Sequence, residues 1–124
     1  MEIFSKILSN TDITKRLGFP TIALNHFSFP EEDHHYVHFL VNDSSTQNGW
    51  KFRLSKRQNS NYPKPAMTGD WLKFVETRGL KQGDQVILRK LVDEAGGVNY
   101  SIAVRKMIKL FGNVIYVDQD EAGA

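Results

Sequence analysis

Period-two alternation recurs in short, separate runs along this chain, and it constrains the fold more than any other feature. The clearest run is Trp50 to Ser55. Trp50, Phe52 and Leu54 point one way, and Lys51, Arg53 and Ser55 point the other. A strand so patterned has one face in the core and one in solvent. Tyr36 to Val41 repeats the pattern with Val37, Phe39 and Val41 on one face. A long strand from Tyr100 places Ile102, Val104, Lys106, Ile108 and Leu110 together. Glu2 to Leu8 and Val86 to Val92 read as further strands, and Val114 to Val117 as a last one. Turn chemistry separates these runs, at Ser9-Asn10-Thr11-Asp12, Asn48-Gly49, Gly96-Gly97 and Gly112.

Helices are few and short. Trp71, Phe74, Val75 and Arg78 follow i, i+3, i+4, i+7 spacing, which predicts a helix from Trp71 to about Arg78, with Asp70 as N-cap and Gly79 as the stop. Ile13 to Leu17 reads as a short helical turn capped by Thr11 or Asp12, or as loop. Phe19-Pro20 begins an extended stretch through Leu24, and Asn25 to Phe29 reads as a short helix ended by Pro30. Pro63-Lys64-Pro65 excludes helix there. Six or seven strands with two or three short helices favour a mainly β, barrel-like fold with helices at its ends.

At 124 residues the chain is one domain with room for a core. Hydrophobic residues make up 40% and aromatics 11%, the composition of a globular chain. The formal charge of +2 hides an asymmetry: residues 1–117 carry 16 basic and 11 acidic groups, while residues 118–124 hold three acids and no cation. The absence of cysteine excludes disulfides and thiolate zinc sites. No apolar run preceded by basic residues opens the chain, so no signal peptide is expected, and no stretch approaches the length of a membrane span.

The solvent face of the 50–55 run holds cations roughly 6.6 Å apart, two strand steps. It leads into Lys56, Arg57, Gln58, Asn59, Ser60 and Asn61, which offer donors and acceptors but no apolar bulk. No acidic residue lies between Asp43 and Asp70. Lysine and arginine suit phosphates, and arginine, glutamine and asparagine suit base edges. A solvated strand edge whose lysines discourage aggregation would read the same way. His34 and His38 would stand roughly 13 Å apart on a straight strand, too far for one metal ion. No nucleophile with a plausible base and no paired acids share one loop, so an enzyme is not expected.

Three stretches taken in order resemble the plant-specific B3 DNA-binding domain of transcription factors. The first runs from Ile3 to Ile13, followed by Arg16-Leu17-Gly18-Phe19-Pro20. The second runs from Trp50 to Tyr62 and then from Thr68 to Val75, and the third is Leu80-Lys81-Gln82-Gly83-Asp84-Gln85-Val86. The resemblance covers about residues 3–112. Where the family usually has glycine directly before the helix tryptophan, this chain has Asp70, with Gly69 one earlier.

The resemblance implies a seven-stranded open pseudo-barrel with two α-helices over residues 1–113, with residues 114–124 adding a last strand and an acidic tail. It implies two arms that grip double-stranded DNA in the major groove. The N-terminal arm would be Lys6 and Ser9 to Arg16, with Ser9, Asn10, Thr11, Lys15 and Arg16 as contacts. The C-terminal arm would be Arg53 and Ser55 to Tyr62, with Ser55, Lys56, Arg57, Gln58, Asn59, Ser60 and Asn61 as contacts. Lys51 and Lys64 add cations for phosphates, and Arg57, Gln58, Asn59 and Asn10 suit base reading. Asp12 would cap the turn or orient Lys15 or Arg16. The expected function is that of a nuclear transcriptional regulator that needs no cofactor. The alternative is a protein-interaction module of the same fold with weak DNA affinity. Lys109-Leu110-Phe111-Gly112 is similar to a short motif by which some repressors of this family recruit a corepressor. Otherwise Leu110 and Phe111 are expected to pack at the end of the last long strand.

Overall fold

A computed structural model of the chain describes residues 1–29, 35–57 and 64–118. It has eight strands: β1 (Glu2–Ile7), β2 (Leu17–Gly18), β3 (Tyr36–Asp43), β4 (Gly49–Ser55), β5 (Ala66–Gly69), β6 (Gln85–Val92), β7 (Val98–Leu110) and β8 (Asn113–Asp118). Two α-helices, α1 (Asn10–Thr14) and α2 (Trp71–Arg78), and a 3₁₀ helix at Thr21–His26 complete it. Seven strands run in the order β1-β6-β7-β3-β4-β5-β2, and β8 pairs with β7. This is the expected mainly β, open pseudo-barrel.

Alternation sorts the side chains as expected. Phe52 and Leu54 on β4, Phe39 and Val41 on β3, and Ile102 and Val104 on β7 are buried. Trp71, Phe74, Val75 and Arg78 are the four buried positions of α2. Burying a large apolar side chain contributes about 1.5–3 kcal/mol, so Trp71, Phe52 and Phe74 dominate the core. Arg78 is buried because Asp43, fully enclosed at the end of β3, pairs with it. Burial raises the Asp43 carboxyl, but bonds from Arg78 and Ser45 outweigh that and hold it below the ordinary aspartate value.

Several local expectations are corrected. The first helix begins at Asn10, with Ser9 rather than Thr11 or Asp12 as its cap. A capping box decides this: the Ser9 hydroxyl accepts from the Asp12 N–H, and the Asp12 carboxylate accepts from the Ser9 N–H. The stretch expected to be extended through Leu24 turns into the 3₁₀ helix directly after Pro20, and no helix spans Asn25 to Phe29. The strand β5 follows a proline-rich segment that masks it in the sequence. Asp70 occupies the cap position of α2, but its carboxylate makes no cap bond. It accepts instead from the Lys51 N–H on β4 at 3.0 Å. Leu110 and Phe111 do not pack at a strand end. They sit on the β7–β8 hairpin, 49% and 95% exposed.

Candidate nucleic-acid interface

Strand register assembles the surface. Ala66 on β5 pairs with Gly18 of β2 on one side and with Ser55 of β4 on the other. Gly18 and Ser55 therefore flank one residue, two strand spacings or about 9.6 Å apart. Gly18 closes the N-terminal arm, and Ser55 opens the C-terminal one. Paired residues share a face, so Gly18, Ala66, Ser55, Arg53 and Thr68 line one outer face. Tyr36 and His38 of β3, paired with Ser55 and Arg53, extend it. Leu17, Met67 and Leu54 lie on the opposite face, fully buried.

The cations picked from the sequence are accessible to different degrees. Lys15, Arg16, Lys51, Arg57 and Lys64 are exposed, and Arg53 and Lys56 half-buried. None of them forms an ion pair among the described residues, where pairs join Lys6–Asp12, Arg78–Asp43, Arg105–Asp118 and Lys106–Asp84. Arg53 stacks its guanidinium 4.1 Å from the Tyr36 ring centre. Lys56 places its ammonium 4.3 Å from that of Phe29, and its N–H bonds the His35 carbonyl. Such contacts fix the long stems while leaving the charge able to attract an anion.

The N-terminal arm is held differently. Asp12 is buried, and its carboxylate accepts from the Ser9 N–H at 2.8 Å, the Gly18 N–H at 3.0 Å and the Lys6 ammonium at 2.9 Å. Burial raises this carboxyl, and those bonds more than reverse it, leaving it below the ordinary aspartate value. Lys6 also donates to the Gly18 carbonyl at 2.8 Å. Two of its three N–H donors are thus committed inside the arm. Asp12 is the N3 residue of the capping box rather than the cap itself, and it pairs with Lys6 rather than with Lys15 or Arg16. Ser9 spends its hydroxyl on the cap, while Asn10, Thr11, Lys15 and Arg16 stand exposed.

Two further links anchor the site. The Trp71 indole N–H donates to the Asp12 carbonyl at 2.7 Å, joining α2 to the arm. Gly69, at φ 73°, presses so close to β4 that a Cβ there would lie 2.7 Å from the Lys51 carbonyl oxygen. Only glycine tolerates both conditions. Lys64, two residues before β5, has φ 40°, an unusual conformation for lysine.

Gln58, Asn59, Ser60, Asn61 and Tyr62 lie outside the described residues, as does His34. Tyr36, His38 and Thr68 join the face without having been picked from the sequence. The alternation that turned Val37, Phe39 and Val41 inward already turned Tyr36 and His38 outward, so that signal was present; Thr68 required knowledge of β5.

Open curled sheet, two short helices and flanking arms define a B3-like pseudo-barrel fold. The same fold occurs in the Arabidopsis FUS3–DNA complex, with a TM-score of 0.70 and 24% identity over 86% of this chain and 98% of that one. It occurs also in the complex of the Arabidopsis thaliana transcription factor LEC2 with DNA, with a TM-score of 0.60 and 17% identity over 81% and 90%. The sequence matches no protein-family model and no curated protein.

Proposed function

We propose that the chain is a sequence-specific double-stranded DNA-binding domain of a nuclear transcriptional regulator, reading the major groove with its two arms. The observation that supports this most is the outer face between Gly18 and Ser55. Its cations Lys51 and Arg53 have no ion-pair partner among the described residues, and the Asp12 carboxylate beside Gly18 is already neutralised by Lys6. The two solved structures compared above are both DNA complexes. Lys15, Arg16, Lys51, Arg53, Lys56, Arg57 and Lys64 supply phosphate contacts. Lys6 adds at most its one remaining donor. Asn10, Arg57, Gln58 and Asn59 supply base contacts, and Ser9, Thr11, Ser55, Ser60 and Asn61 flank them. No cofactor takes part.

Selection of duplexes from a random library, followed by binding across a salt series, tests the reading. An enriched site, with about five phosphates engaged and log K falling with log salt at a slope of about −4.5, supports it. No binding at low salt overturns it in favour of a protein-interaction module.

The exposure of Phe111 favours a second partner, a corepressor held by Lys109-Leu110-Phe111-Gly112. Phe111 is 95% exposed at φ 51°, where a bulky residue is strained. The expected result for Phe111→Ala is lost repression of a reporter with unchanged DNA affinity; retained repression removes the corepressor from the reading.

A further inference from the structure

A single corner of the fold touches both arms. Asp70 is clamped to Lys51 by two bonds: its N–H donates to the Lys51 carbonyl at 2.9 Å, and its carboxylate accepts from the Lys51 N–H at 3.0 Å. The next residue, Trp71, donates its indole N–H to Asp12 in the N-terminal arm. A continuous path, Lys51–Asp70–Trp71–Asp12, therefore runs from the strand that leads into the C-terminal arm to the centre of the other arm.

The Asp12 carbonyl is available because α1 stops early. The Arg16 N–H bonds the Thr11 carbonyl at 3.2 Å instead of continuing the i to i−4 ladder to Asp12. A carbonyl orphaned at a helix end needs an outside donor. The indole provides it from a fully buried ring that packs on Phe52 and Phe74. A phenylalanine could fill most of that space without donating anything.

We infer that Trp71 is a positioning residue for DNA binding: its N–H sets where Lys15 and Arg16 stand relative to β4, so that both arms meet one duplex in register. This rests on the DNA reading above and deepens it. The tests are Trp71→Phe and the benzothienylalanine isostere, in which sulfur replaces the N–H at nearly the same shape. Each is made in the parent chain and in a Lys15→Ala, Arg16→Ala background. Binding to the duplex selected by the parent is followed by fluorescence anisotropy across a salt series, and exchange of the amides of residues 10–16 is measured alongside.

The expected result is a folded variant that binds about tenfold more weakly, the worth of one hydrogen bond to a buried carbonyl. Its salt slope becomes shallower by up to about 1.8 as two cations lose their phosphates. Arm amides exchange faster while those of β6 and β7 do not. In the background lacking Lys15 and Arg16 the same change adds no further loss, because the effect acts through those residues. Equal losses in both backgrounds, or a folded variant with parental affinity and slope, would show that Trp71 only packs the core. If Trp71→Phe does not fold, the isostere carries the test with the same outcomes. A parent chain that selects no duplex removes the DNA reading, and this inference with it; a parent that binds, matched by its variants, removes this inference alone.

Discussion

From Ser9 to Gly18 the anchors are directional hydrogen bonds converging on one buried carboxylate, whereas from Lys51 to Arg57 the long cations ride on ring faces and strand pairing. The first scheme fixes backbone, so that Asn10, Thr11, Lys15 and Arg16 project from a rigid turn. The second fixes only the stems of Arg53 and Lys56. The arm from Ser9 to Arg16 has no strand partner until Leu17 and Gly18 pair with β5, and it must make its own frame. An arm that extends a paired strand inherits one. The two halves of the proposed grip should therefore fail differently when cut.

The largest effect is expected on the strand side. Replacing Arg53, Lys56 and Arg57 together with alanine should weaken DNA binding at least a hundredfold near physiological salt, since three counterion-releasing contacts disappear. Circular dichroism should show the fold intact, with a loss of stability of about 1 kcal/mol from the two cation–π contacts. Parental affinity in this triple variant would mean that the C-terminal arm is misassigned.

Next comes the shared corner. Gly69→Ala puts a methyl against the β4 backbone at a left-handed φ and should destabilise the chain by about 2–3 kcal/mol in thermal or urea unfolding. Both arms should lose function together. Asn59→Ala should reduce discrimination between the selected site and single-base variants by about 1–2 kcal/mol while leaving non-specific affinity near the parental value. An equal loss on every sequence would deny Asn59 a base-reading role. Lys15→Ala with Arg16→Ala should weaken binding about tenfold and lower the salt slope by about 1.8, with no change in stability.

The smallest effect separates the arms by pH. Asp12, Asp43 and Asp84 all have carboxyls held below the ordinary aspartate value, burial notwithstanding, by hydrogen bonds and ion pairs. A depressed folded-state pKa contributes stability above the unfolded value of about 3.9, lost as pH falls through the folded value. Asp12→Asn should therefore lower stability at pH 7, where the bonds from Ser9, Gly18 and Lys6 to the charged carboxylate are all present, and the difference from the parent should shrink as pH falls below about 4, flattening the acid limb. An unchanged acid limb would show that the Asp12 network contributes nothing in the folded state.

Much of this was legible in the sequence. Alternation located β3, β4 and β7 and their buried faces, and i, i+3, i+4 spacing located α2 to the residue. The cation run after Trp50 marked one side of the candidate interface. What stayed hidden depended on partners distant in the chain. Asp70 has the chemistry of a helix cap, yet the closeness of β4 offers its carboxylate the Lys51 N–H instead. Lys6 carries the charge of a phosphate contact, yet a buried aspartate six residues on claims it. Thr11 and Asp12 are the caps expected by type, and the reciprocal bonds between Ser9 and Asp12 make Ser9 the cap instead. Ala66–Gly69 is too short and too poor in β-branched residues to announce a strand; its neighbours on both sides make it one.

The seam between β3 and β7 carries one more consequence. These strands run parallel and meet over three residue pairs, Val41–Tyr100, Asn42–Ser101 and Asp43–Ile102. On one side of the seam lies the group β1-β6-β7, on the other β3-β4-β5-β2. The β3–β4 and β6–β7 hairpins join near neighbours in the chain, whereas the seam joins residues about 60 positions apart and β1–β6 residues about 80 apart, so these two closures carry loop entropy that the hairpins do not and fall late in folding. The Asp43–Arg78 pair ties the last residue pair of the seam to α2, so the join between the two groups is held by a buried charge pair as well as by its short ladder.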